Sequence, residues 1–184
     1  MIVKLLDKKT NPRDTDLSCY CFEICGIAEF ILKELAKYKG AELNIKSSEC
    51  AFKELENEAP FVEIYHINDQ ERRRYHYDRA AKYIDLLDQQ FIGKGQLEQL
   101  EYLREEIKSG TSIDRYKFLL TGAYKCDLVW SVNLSVLKIF LKLHLNKSAH
   151  FRIRELAHLV FQALPQEDKD LLWNDESYLL VNFS

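Results

Sequence analysis

The spacing of apolar positions changes character several times along the chain, and each change predicts an element. "IVKLL" at 2–6 is a short apolar run closed by the turn-forming "DKKTNPRD", which predicts a first strand. "LSCYCFEIC" alternates, with Tyr20, Phe22 and Ile24 on one side and Cys19, Cys21 and Glu23 on the other. That predicts a second strand, broken at Gly26. Ile27, Phe30, Ile31, Leu35 and Tyr38 then recur at helical spacing, and Gly40 stands where a helix C-cap belongs. "ELNIK" reads as a brief extended piece and "FVEIYHI" as a further β-rich run, with Asn68 placed to cap the helix after it.

Beyond that point the period is mostly helical. A helix is expected over 69–91, with Tyr77, Ala80, Ala81, Ile84 and Leu87 on one face, interrupted at "GKG". Leu97, Leu100, Leu103 and Ile107 mark another, ending at "SG". "YKCDLVWSV" fits either a strand or an apolar helix. The spans 134–145 and 149–164 are strongly amphipathic, the second ended by Pro165. The tail "YLLVNF" reads as a closing strand or an oligomer contact.

Composition narrows the class. The 184 residues are 47% hydrophobic and 30% charged with three prolines, which describes a globular chain with one sizeable core. No linker or repeat divides it, so a single domain over 1–184 is expected. The net charge of −3 argues against general nucleic-acid binding, so any anion site must be local. No apolar run has the length of a membrane span, and the N-terminal run is too short for a signal peptide. Five cysteines, an odd number, fit reduced thiols in the cytoplasm.

The chemistry-bearing patterns are few. Cys19, Cys21 and Cys25 lack the knuckle spacing of a zinc site and read as small buried strand residues. His150, Arg154 and His158 lie at i, i+4, i+8 and read as a solvated or interface stripe; no metal site is expected. No Walker, dinucleotide-binding or nucleophile-elbow motif occurs. "KYKGAELNIKSSECAF" at 37–52 gathers cations and small hydroxyls, which suits an anion, although Glu49 opposes one.

Two segments give this stretch a context. "DRYKFLLTGAYKCDLVWSVNLSVLKIFLKLHLNKSAHFRIRELAHLVFQALP" at 114–165 resembles the C-terminal half of the flavin-dependent thymidylate synthases. Trp130, Val132, Asn133, Phe140, Leu141, Leu143, Ala149, Phe151, Ile153 and Arg154 carry the resemblance in order. In that register, Lys37, Tyr38 and Lys39 stand where the family has R-H-R at a helix end. Asn44 and Ser47 match family residues, and Glu49 and Cys50 replace R-Y. "LSCYCFEICGIAEFILKEL" looks like the strand and helix leading into that motif. The long first helix and a flavin-contacting histidine segment are missing between Pro12 and Leu17.

The resemblance implies an α/β (α+β) fold, a small sheet packed with long helices, assembled as a homotetramer with shared active sites. It implies conversion of deoxyuridylate (dUMP) to thymidylate (dTMP), with a methylene from methylenetetrahydrofolate and electrons from NADPH through FAD. It assigns Lys37, Tyr38, Lys39, Asn44 and Asn133 to FAD. It assigns Lys46, Ser47, Ser48, Lys117 and His144 to the nucleotide. No catalytic residue is assigned.

The departures weaken that site. Lysine keeps the charge of arginine but not its planar fork. His144 stands for an arginine and is only part charged at neutral pH. Ile139 replaces a polar residue near the flavin, and Glu49 inverts a charge. Three functions are therefore in play: an impaired homologue, an active synthase, and a binding protein of altered specificity.

Overall fold

The computed structural model describes residues 1–46, 54–61, 70–85, 94–112, 115 and 122–173. They form two compact units. The first comprises 1–25, 31–46 and the chain from 127; the second comprises 26–30 and 47–126.

The first unit holds a four-stranded sheet. Its strands are β1 (Ile2–Lys9), β2 (Cys19–Ala28), β3 (Glu42–Ile45) and β4 (Lys125–Asn133), in the order β1-β2-β4-β3. β1 and β2 are antiparallel, as are β3 and β4. The alternation in β2 sets the faces. Tyr20, Phe22 and Ile24 are buried, while Cys19 is exposed and Cys21 and Cys25 are half-buried on the other face. The cysteines are therefore not core residues: with period 2, a strand that buries its aromatics turns the intervening residues outward. The ambiguous "YKCDLVWSV" is a strand, with Leu128, Trp130 and Val132 on the buried side.

A bulge interrupts β1. Leu5 pairs with Phe22 and Asp7 with Cys21, so Leu6 is the extra residue, and it is exposed. β1 and β2 are joined through residues 10–18, which contain only one 3-10 turn, Thr15–Leu17. The Ser18 hydroxyl accepts from the Asn11 backbone N–H at 3.1 Å and closes this connection.

Four helices complete the unit. α1 (Glu29–Leu35) precedes β3. Three more follow β4: Leu134–His144, Phe151–Ala163 and Gln166–Trp173. In the second unit lie α2 (Gln70–Ala80) and α3 (Lys94–Lys108). In chain order the three C-terminal helices are thus α4 (Leu134–His144), α5 (Phe151–Ala163) and α6 (Gln166–Trp173). α5 packs on β1 and α4. Phe22, Trp130 and Phe140 form a ladder, with ring centroids 5.9 and 5.0 Å apart. These bulky side chains are fully buried and dominate the hydrophobic stabilisation of the unit.

Pro165 ends α5, and it also opens α6: its carbonyl accepts from the backbone N–H groups of Asp168 and Lys169 at 3.1 Å. Lys8 of β1 then reaches Asp168 at 2.8 Å and Glu167 at 2.7 Å.

The second unit has a core of Leu55, Phe61, Ala80, Tyr83, Ile84, Leu97, Leu100, Leu103 and Tyr124. Its polar rim is a paired network. Arg79 bonds Glu58 at 2.8 Å, and the Tyr83 hydroxyl donates to the same carboxylate at 3.2 Å. Arg104 bonds Glu101 at 2.7 Å, and Glu101 accepts from the Phe61 backbone N–H at 2.9 Å.

Two expectations need correction. Gly26 does not break β2; it takes φ +70°, a conformation suited to glycine, and the strand runs on to Ala28, so Ile27 is a strand residue. The helix expected over 69–91 ends at Ala80. Three turn residues follow, and Ile84 then bridges Tyr124, with Asp85 N–H bonded to the Ala123 carbonyl at 2.8 Å. Backbone pairing of 84–85 with 123–124 replaces further helical turns. The β-rich run after Phe61 and the tail 178–183 lie outside the described residues.

Candidate functional site

The turn after α1 places the basic triplet. Tyr38 N–H bonds the Leu35 carbonyl and Ala41 N–H bonds the Tyr38 carbonyl, which curls residues 36–41 around the helix end. Gly40 is not a helix cap in direct succession, but it takes φ +85° in this turn, and a Cβ there would come within 3.8 Å of Asn133 Nδ2. Asn133 lies at the end of β4. Its Oδ1 caps α4 by accepting from the Val136 N–H and the Ser135 hydroxyl, both at 2.9 Å. The residues 37–40 and Asn133 are thereby neighbours.

Tyr38 turns inward. Its hydroxyl and His144 Nε2 are 2.6 Å apart, and its ring stands edge-on to Phe140 at 5.6 Å. His144 closes α4 and is 9% exposed. Burial lowers its pKa, the Glu34 carboxylate opposes this and Lys37 adds to it, so the uncharged imidazole is favoured. Burial, then Glu34, pushes the Tyr38 phenol up to about 12. Lys37 pairs with Glu34 one helical turn earlier, and the other Glu34 oxygen lies 4.0 Å from His144 Nε2.

The remaining residues are elsewhere or undescribed. Asn44 is exposed on β3, opposite Val129 and so on the face away from Trp130. Lys46 ion-pairs with Glu23 of β2 at 2.9 Å, which raises the pKa of the lysine and lowers that of the glutamate. Lys39 is exposed and has no ion pair to a described residue. Ser47, Ser48, Glu49 and Lys117 lie outside the described residues. His150 does not belong to a stripe on α5: it caps the helix, its Nδ1 accepting from the Arg152 N–H at 3.3 Å. Among the described residues no cluster of His, Cys, Asp and Glu is placed to hold a metal, and no helix is long and apolar enough to cross a membrane.

Sequence reasoning missed Glu34. Its signal was available, since a glutamate three residues before Lys37 on a helix faces it.

Tested against a flavin, this set of side chains does not fit as it stands. The Asn133 carbonyl oxygen caps a helix, the Tyr38 hydroxyl meets His144, and Lys37 meets Glu34. Lys39 and Asn44 remain as exposed polar groups, too few to form a flavin cradle from this chain's described residues.

Comparison with known proteins places these residues in context. A family profile described as "Thymidylate synthase complementing protein" matches residues 10–167. The chain is 36% identical over 171 residues to a flavin-dependent thymidylate synthase of Wolinella succinogenes, covering 93% of this chain and 78% of that one. It is 34% identical over 150 residues to a flavin-dependent thymidylate synthase of Campylobacter jejuni, covering 82% and 67%. It is also similar to the crystal structure of the flavin-dependent thymidylate synthase ThyX from Helicobacter pylori complexed with FAD and dUMP. That likeness has a TM-score of 0.73 at 27% identity and covers 85% of this chain and 72% of that one.

Proposed function

The chain belongs to the flavin-dependent thymidylate synthases, and from that premise we propose that it is a divergent member: a scaffold facing dUMP and FAD in which methylation of dUMP to dTMP is impaired or lost. Both compact units are read as parts of one family domain over 1–184, assembled as a homotetramer in the cytoplasm.

The observation that carries the reading is the closure of the Tyr38–His144 pair at 2.6 Å beside a Lys37 already paired with Glu34. An incoming nucleotide phosphate would meet Lys39 directly but would compete with Glu34 for Lys37. A neutral imidazole offers at most one N–H, and here its Nε2 faces a phenol, so it cannot grip a uracil edge or a phosphate as a charged fork does. What this chain's own groups supply is a weak anion contact and little orientation of the pyrimidine.

The test is turnover by the full chain with dUMP, methylenetetrahydrofolate, NADPH and added FAD, run beside the Wolinella succinogenes relative. The expected outcome is dTMP formation far below that of the relative, and a purified protein with little of the yellow absorbance of flavin. Equal turnover, or growth of a thymidine-requiring bacterium on this gene, overturns the reading. The identity of 36% over 93% of the chain favours an active synthase as the second reading, and that result would establish it.

A further inference from the structure

Glu34 stands between a lysine and an imidazole. One carboxylate oxygen pairs with Lys37, and the other lies 4.0 Å from His144 Nε2. We propose that Glu34 is a shared counter-ion that couples anion binding at Lys37 to protonation of His144. The proposal rests on the reading of the 37–39 turn as an anion site, and it adds a residue and a control that reading does not contain.

The groups facing His144 among the described residues are few. Glu34 approaches from α1, and Lys37 and Tyr38 come from the turn after it; Phe140 on its own helix is uncharged, with ring centroids 4.9 Å apart. Glu34 is a half-buried carboxylate, so its field is only partly screened. With no anion present, Glu34 neutralises Lys37, and the buried imidazole stays uncharged. An anion that takes Lys37 releases Glu34 from it. The carboxylate then acts on the imidazole, whose charged form it favours.

The argument runs equally in reverse. A protonated His144 carries N–H on both nitrogens. It draws on Glu34 and weakens the competition for Lys37, so the anion binds more tightly. Such coupling is reciprocal: the factor by which the anion favours protonation is the factor by which protonation favours the anion. Tyr38 keeps its place in both states, because its hydroxyl can donate to a neutral Nε2 or accept from a protonated one.

The experiment follows the His144 ring by NMR through a pH titration of the full chain. The anion probe is sulfate, which holds its charge across the range. Sulfate should raise the His144 midpoint, and its affinity should rise as pH falls through that midpoint. Lys37→Met should raise the midpoint without sulfate, mimicking a bound anion. Glu34→Gln should lower the midpoint and abolish the response to sulfate. Glu34→Asp keeps the charge and should keep the direction of both effects, which separates loss of the carboxylate from a disturbed turn. A midpoint unchanged in Glu34→Gln, or an undiminished sulfate response in that variant, overturns the counter-ion role. Responses to both substitutions with none to sulfate overturn the coupling and the anion-site reading with it, and leave only the Glu34–His144 contact standing.

Discussion

Glu58 is held by three side chains at once. Arg79, Lys82 and Tyr83 all bond its carboxylate, and only 15% of that side chain is exposed. Burial alone would raise its pKa; the Arg79 and Lys82 contacts outweigh this and hold it below the usual value. The sign follows: a carboxylate with a depressed folded pKa contributes stability above its unfolded value, near 4.5, and loses it as pH falls through the lower folded one. Glu58→Gln is therefore expected to destabilise the protein by about 2–3 kcal/mol at pH 7, measured by urea unfolding, and to flatten the acid limb of stability below the ordinary carboxylate range. Glu49 sits outside the described residues, so its prediction rests on the family resemblance. Glu49→Arg should tighten nucleotide binding roughly tenfold, for about 1–2 kcal/mol after screening, without restoring turnover; calorimetry that shows weaker binding would refute it. Of the residues the sequence singles out, Lys37, Tyr38, Asn133 and His144 lie around one turn. Which partner each side chain takes could not be read, because Tyr38–His144 and Lys46–Glu23 join residues far apart in sequence.

At the scale of elements, local pattern succeeded where one period persisted. β2, β4, α3 and α4 all follow the alternation or helical spacing of their apolar residues. It failed where backbone pairing from a distant segment decided the outcome. Ile84 keeps helical spacing with Tyr77 and Ala80, yet its pairing with Tyr124 ends the helix early. α6 was missed because Pro165 reads as a stop, although proline suits the start of a helix equally well. Among its described residues that helix buries two side chains, Leu172 and Asp168. Asp168 is 3% exposed and faces Lys8, and its charge, after burial, also pushes the Tyr20 phenol up to about 12. Asp168→Ala leaves Lys8 without its buried partner and should loosen α6 before the sheet. Faster amide exchange confined to 166–173 is the expected result; uniform change across the protein would show that α6 is not independently anchored.

For the whole molecule, the outer side of α4 and the start of α5 matter most. Ile139, Leu143 and Phe151 are 52%, 56% and 41% exposed. Apolar side chains left open along a helix favour association, and light scattering at micromolar concentration should give a homo-oligomer; a clean monomer would refute this. The bulge in β1 bears on how the chain tolerates a change in its own length. Leu6 is the residue with no opposite number, since Leu5 and Asp7 already face the neighbouring residues Phe22 and Cys21. Deleting Leu6 joins those two directly and leaves every other side chain on its original face. Deleting Cys21 instead would throw Tyr20 or Phe22 off the buried face. The first deletion should keep the melting temperature within about 5 °C of the parent, and the second should abolish folding. This strand thus carries a position where the gene can lose a codon and the protein keeps its architecture.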